Sequence, residues 1–410
     1  MISLHTCRTS VVLAGLLWSA AGSAAPWQFS EPLTVAPAAP GVFHHLEAAG
    51  RQSIAVSAGT VAVVWEDNRD GTPRAYVAFR APGKREFLTQ RLSGTFEAYA
   101  PVVAAVPQGG FVFGWEEDGH VWARSGGPAG LGPALKLTDA EAAQVALGTG
   151  ELGVFAAWSE RSGRHTAIRF RRLTPGVALE AGPAQSITAA PAEDQLYPAL
   201  AVLKSAAVLA WEDRRAGHTV IMYARTQDGK TFSSPQTLNE QRVHRSQVYG
   251  RGTGAARVAL ARLDAERTAA VWLDKRDFES GYDVYAAVSE PGGGRFQRNE
   301  MVQDEFGNNI GQWHAALAAQ SGLLAVVWDD DRDGSPDIWL SWREASGWSA
   351  NIAVPGAGGA GIDTSPAVAL DAAGHLHLVW LEQPTADAPT RLRYVEGWRA
   401  AKNSGVPGVH

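Results

Sequence analysis

The stretch from Trp328 to Trp339, WDDDRDGSPDIW, sets five aspartates and an arginine between two tryptophans. Asp329, Asp331, Asp333 and Asp337, with Gly334 among them, spell DxDxDGxxD. Alternate carboxylates ahead of a glycine let a short loop wrap oxygen ligands round a hard cation, which makes these four aspartates a candidate calcium site. The interleaved Asp330 and Arg332 belong to a second pattern, WxDxR, which recurs as Asp67 with Arg69, Asp213 with Arg215, and Asp274 with Arg276. A catalytic constellation is asymmetric and has no use for one pair in four places. Repetition therefore points to a structural clasp, in which Asp accepts hydrogen bonds from its own turn and the planar Arg bridges to a nearby oxygen.

Residues that do not repeat are better candidates for recognition. The segment NEQRVHRSQVYGRG carries Arg242, His244, Arg245, Tyr249 and Arg251, forked donors and an aromatic platform suited to an anionic or sugar ligand. EFGNNIGQWHAAL contributes Trp313 and His314, and Tyr99 and Tyr197 are expected at matching points of earlier repeats. Rings at such places could stack on sugars. His44 and His45 in FHHL, and His375 and His377 in GHLHLVW, raise transition-metal binding. The second pair shares one face of a strand, but neither pair has a third ligand evident in sequence. No GxSxG, HExxH or P-loop occurs, nor a GxGxxG between strand and helix, so no catalytic residue is assigned.

The elements that would hold these residues follow from a repeat. An apolar run closing on tryptophan occurs seven times, at Trp65, Trp115, Trp158, Trp211, Trp272, Trp328 and Trp380, with intervals of 50, 43, 53, 61, 56 and 52 residues. An apolar strand such as YPALAVL precedes most copies, and an alternating strand such as RAYVAFR or DIWLSWR follows, then a weaker fourth such as FSSPQTL. Four antiparallel strands repeated at this spacing predict an all-β fold, a seven-bladed β-propeller. Nearly unbroken apolar runs such as AVLAW suit a strand buried on both faces. Residues 26–35 resemble the fourth strands and are expected to close the last blade, which leaves no exposed sheet edge.

The start of the chain, with Arg8, an apolar run from Val11 to Trp18 and small residues through Ala25, predicts a secretory signal peptide over 1–24. A single propeller domain is then expected over 25–401 and a tail over 402–410. The only cysteine, Cys7, falls inside the signal, so the expectation is a monomer in the periplasm or outside a bacterial cell, without disulfides. No segment approaches the length of a membrane span. A net charge of −6 without any basic block argues against nucleic acid as a partner.

Two junctions, TQDGKTF (Thr226 to Phe232) and SEPGGGRF (Ser289 to Phe296), resemble the Asp box, SxDxGx[TS]W, of the sialidase-like propellers. The aspartate-rich loop after Trp328 is similar to the calcium loops of integrin-type propellers. The WxDxRxG pattern followed by DIW or DVY resembles repeats of other exported bacterial proteins. The sialidase resemblance extends over the whole mature chain and implies the same seven-bladed fold. Sialidases clamp a substrate carboxylate with three arginines and use an Asp acid/base and a Tyr nucleophile assisted by Glu. The Arg-Ile-Pro element of that family is absent here, and the triad does not map onto numbered residues. The expected function is a binding or interaction module whose small-molecule, glycan or protein ligand sits on the loop-rich face of the channel, a carbohydrate or another anion. The alternatives are a sialidase-like glycoside hydrolase, which needs two acids about 5 to 9.5 Å apart, and a metal-dependent periplasmic enzyme or metal-binding protein.

Overall fold

The computed structural model describes residues 27–187, 191, 193–240, 254–276, 281–304 and 310–399. The predicted signal, the tail, and five candidate ligand residues, Arg242, His244, Arg245, Tyr249 and Arg251, lie outside the described residues.

Each tryptophan-ending run is the second strand of an antiparallel sheet, and seven such sheets form a ring, a seven-bladed β-propeller. Blade two shows the pattern: Ala98–Ala105, Phe111–Glu117 and His120–Gly127 run in order, with two short outer segments. The first strands touch their counterparts in the blades on either side and so surround the axis. Apolar side chains gather into seven clusters, each shared by two successive blades. A second strand is covered on both faces in this arrangement, which is why its sequence does not alternate. No helix among the described residues is long and apolar enough to cross a membrane.

Trp27–Phe29 and Leu33–Ala36 pair with Arg391–Arg399 as the outer strand of blade seven. The junction between that blade and blade one is a polar lock as well as an apolar one. Arg80 of blade one bonds the Tyr394 hydroxyl at 2.7 Å and Glu396 at 2.8 Å.

All seven run-closing tryptophans are fully buried. A buried indole N–H needs an acceptor, and each finds a carboxylate. In six blades it is the second residue after the tryptophan: Asp67, Glu117, Glu160, Asp213, Asp274 or Asp330, at 2.7 to 3.2 Å. In blade seven Asp363, on the neighbouring strand, takes the role at 2.7 Å. Arg69, Arg215, Arg276 and Arg332 then fold back onto the aspartate two residues earlier. Three of them also lie over an aromatic ring of the third strand: Arg69 over Tyr76 at 4.4 Å, Arg276 over Tyr285 at 3.9 Å and Arg332 over Trp339 at 4.1 Å. The WxDxR pair is thus a clasp joining second strand, turn and third strand.

First strands carry a bulge two residues long near their start, at Ala100, Gln144, Tyr197, Arg257, His314 and Ser365. The first residue of every bulge has a left-handed backbone, φ between 46° and 61°, a conformation that costs a side-chain-bearing residue free energy and persists where surroundings hold it. The residue directly after the preceding blade's tryptophan supplies much of that hold. Glu66 accepts from the Ala100 N–H at 2.7 Å, Glu116 from Gln144 at 2.6 Å, Glu212 from Arg257 at 2.7 Å and Asp329 from Ser365 at 3.0 Å. Burial pushes the carboxyl of Glu66 up to about 7 and raises those of Glu116 and Glu212.

Blade one departs from this plan. His44 and His45 pair with Asp67 and Glu66, but the pairing resumes only at Ile54. The intervening segment holds the short turn Ala49–Arg51 and lies against the first strands of the other six blades. Gln52 bridges the backbone of Leu147 in blade three with both ends of its amide, at 2.6 and 2.8 Å. Its own carbonyl accepts from Val103 of blade two at 2.9 Å, and Arg51 donates to the Pro366 carbonyl of blade seven at 3.0 Å. The segment is a plug across the channel. Gly50 has φ 61°, and a side chain there would begin 3.7 Å from the Ala199 methyl of blade four.

Candidate functional site

Above the plug, on the face where second strands end and first strands begin, is a cup of about 470 Å³. Its floor is Glu47 to Arg51, and its wall comes from the bulges of blades four, five and six. Size and position fit a small-ligand site.

The aromatic wall comes from three rings. Trp313, 47% exposed, meets the edge of Tyr282 with centroids 5.4 Å apart. Across the cup the Arg257 guanidinium lies 3.7 Å above the Tyr197 ring, an arrangement in which the cation is held by the ring face while its N–H edge stays free to bond a ligand. Trp313 is exposed because its strand position, paired with Asp329, is the first of blade six and projects at the channel mouth.

His314 is the polar centre. Its Nδ1 lies 2.7 Å from Asp329, whose carboxylate is almost wholly buried. A carboxylate only accepts, so Nδ1 carries a proton, and in the neutral ring Nε2 is the acceptor. That nitrogen is 3.9 Å from Glu47 on the floor. Beneath, Arg51 is buried, its field shared among Glu47, Asp329 and Arg257, and burial lowers its pKa. Arg51 bonds the carbonyls of Leu46 and Pro366, and its Nε has no hydrogen-bond partner among the described residues.

Trp313, His314 and Tyr197 are therefore brought together. Tyr99 is not: it bonds Glu97 at 2.7 Å, which holds its hydroxyl pKa up at about 12, and it lines a separate hollow between blades two and three. The matching of points also needs correction, since Tyr99 occupies the register of Trp313 whereas Tyr197 occupies that of His314. Glu47, Arg51, Arg257 and Tyr282 were missed in sequence. The usable signal, for Glu47 and Arg51, was the long FHHLEAAGRQSIAV segment in blade one.

The four aspartates after Trp328 do not close on one point. Asp329 turns to His314 and Ser365, and Asp337 accepts from the Gly359 N–H at 3.1 Å with burial raising its pKa. Asp331 and Asp333 are exposed. Among the described residues no group of three or more His, Cys, Asp or Glu is arranged to hold a metal ion. The histidine pairs are committed elsewhere: His44 bonds Thr390, and His377 bonds the Tyr394 hydroxyl at 2.6 Å. In TQDGKTF, Asp228 gathers the N–H groups of Lys230 and Thr231, both at 2.8 Å, while Phe232 packs edge-on against Phe170 of blade three. This turn stabilises a blade junction and assigns no family.

No protein-family model matches the chain, and no curated protein is similar to it in sequence. Solved structures are similar in fold. A polysaccharide lyase shares 9% identity over 85% of this chain and 89% of its own, with a TM-score of 0.55. A puromycin-hydrolysing peptidase of Mycobacterium tuberculosis shares 15% over 93% of this chain and 57% of its own, at 0.52. An α-L-arabinofuranosidase from Fusarium graminearum, in complex with an iminosugar inhibitor, shares 12% over 91% of this chain and 99% of its own, at 0.50.

Proposed function

We propose that the protein is an exported propeller that binds a carbohydrate in the cup between plug and bulges. The observation that carries this reading is the solvent-exposed Trp313 beside Tyr282, facing the forked donor of Arg257 on Tyr197, in a cup of about 470 Å³. Flat rings offer their faces to the apolar side of a pyranose or furanose, and planar donors take its hydroxyls in pairs. That two of the fold neighbours are named for acting on saccharides supports the same reading.

Glycan-array binding of the mature chain tests it. Trp313→Ala should lose at least ~10-fold in affinity, as removal of an exposed aromatic anchor does at other interfaces, without a change in melting temperature. Absence of binding to any glycan, or binding indifferent to Trp313, overturns the proposal. The export reading is checked separately, by fractionating the native host and sequencing the mature N-terminus, expected at Ala25.

A further inference from the structure

Resting on the carbohydrate reading, we infer that the cup takes the uronate unit of an acidic polysaccharide and that His314 cleaves the chain there by β-elimination.

Three features select this chemistry. First, hydrolysis by paired carboxylates needs two acids facing one bond, and the described lining of the cup contains one, Glu47. Asp329 stands behind His314 and is occupied by it and by the Ser365 N–H. Second, the lining does contain a base. Asp329 fixes the His314 tautomer so that Nε2 presents its lone pair, and a charged partner behind the ring stabilises the imidazolium that forms. Third, the cup is built for an anion. Arg257 presents its guanidinium at the wall, and the buried Arg51 lies under the floor with an unpartnered Nε; of the two carboxylates that face them, Asp329 is engaged by His314 and the Ser365 N–H, which leaves Glu47. Cations beside a base are what proton abstraction next to a carboxylate requires, because charge developing on the carboxylate oxygens must be neutralised in the transition state.

The step balances without consuming water. His314 Nε2 takes the proton from C5, the carbon bearing the carboxylate. The C5–H electron pair becomes the C4=C5 double bond, the C4–O bond to the neighbouring sugar breaks, and the leaving oxygen receives the proton that His314 now carries. The products are a chain that begins with the 4,5-unsaturated uronate and a chain with a free anomeric hydroxyl. His314 is the catalytic residue. Asp329 is a positioning residue, and Arg257 selects the carboxylate.

The test incubates the mature full-length chain with polygalacturonate, alginate and hyaluronan, and with neutral arabinan and xylan. It reads binding by affinity electrophoresis and turnover by the ultraviolet absorbance of the conjugated C4=C5 bond. Uronate polymers should bind and gain absorbance, and neutral ones should not. His314→Asn, which tolerates the left-handed backbone, should cut turnover at least ~100-fold with binding kept. Arg257→Ala should weaken binding of uronate polymers. Asp329→Asn keeps an acceptor for Ser365 and should lower kcat with KM for uronate polymers unchanged, a split that a structural defect alone would not give. Uronate binding without new absorbance, or cleavage that yields a reducing end and no double bond, overturns the inference and leaves the carbohydrate reading standing. Binding of neutral glycans alone does the same, whereas binding of no glycan overturns both.

Discussion

The residue after the blade tryptophan and the residue after that one belong to the same short turn, yet they lead different lives round the ring. The second is nearly uniform, a carboxylate in all seven blades, and in six it receives the indole N–H. The first varies: Glu in blades one, two and four, Ser in three, Asp in six, Leu in five and seven. Where it is Glu it ties the next blade's bulge. At the junction of blades five and six it is Leu273, which has no group to offer the bulge, and there the His314 side chain turns to Asp329 of its own blade and the cup opens. The ring is therefore held by the repeated position and made specific by the irregular one.

The largest effect should come from attacking the uniform position. Asp274→Ala leaves a buried indole N–H without its acceptor and takes from the almost fully buried Arg276 the carboxylate it pairs with, Asn299 remaining as another partner, and breaking such a buried pair costs about 3–5 kcal/mol. The same change at Asp213, whose Arg215 is substantially exposed, should cost only about 1–3 kcal/mol. Chemical denaturation of both variants ranks them, and equal losses would break the distinction between buried and open clasps.

Next comes Trp313→Ala, which should remove roughly 2 kcal/mol of glycan affinity while denaturation midpoints stay with the wild type. A fall in stability comparable to that of Asp213→Ala would mean that the irregular region is structural after all.

A smaller effect is a pH dependence. Glu66 has its folded pKa raised by burial from 4.5 to about 7, and Asp363 from 3.8 to about 7. The folded state then holds these protons more tightly than the unfolded one, so their contribution is full below the unfolded values and is lost as pH rises through about 7. His44 acts in the opposite direction. Burial lowers its pKa from 6.5 to about 4, so its contribution is present above 6.5 and lost as pH falls through 4. Melting temperature should decline from pH 6 to 8, and Glu66→Gln, which keeps an acceptor for the Ala100 N–H, should flatten that decline.

The smallest expected effect is that of calcium. With Asp329 and Asp337 engaged by protein donors, millimolar calcium or EDTA should leave the melting temperature unchanged. A rise with calcium, abolished in Asp331→Asn, would restore the loop after Trp328 as a cation site.

The blades were legible because burial on both faces writes itself into sequence as runs such as AVLAW and because tryptophan recurs at one place in each. The clasp was legible as WxDxR in four copies, but its commoner half, carboxylate to indole, was hidden by Glu117 and Glu160 standing where the pattern asked for Asp. The bulges left no mark, since Ala100, Gln144 and Ser365 adopt a left-handed backbone that their neighbours enforce and their own identities do not announce. The cup was half visible. Trp313, His314 and Tyr197 could be named as unrepeated residues, whereas Arg257 and Tyr282 join them only through the closure of the ring, and Glu47 and Arg51 through a segment more than 140 residues away in sequence.

That segment also orders events in time. The plug hangs from the first blade, close to the start of the chain, but its partners Leu147 and Pro366 lie in the third and last. It can seat only once the seventh blade has come round to the first. Contacts of such long sequence separation form late, because the loop they close must be ordered first. The amide of Leu147, bonded to the Gln52 side chain, is thus a clock for ring closure. In a refolding experiment followed by hydrogen exchange it should gain protection after the strand amides of its own blade, and no sooner than the Tyr394 amide in blade seven.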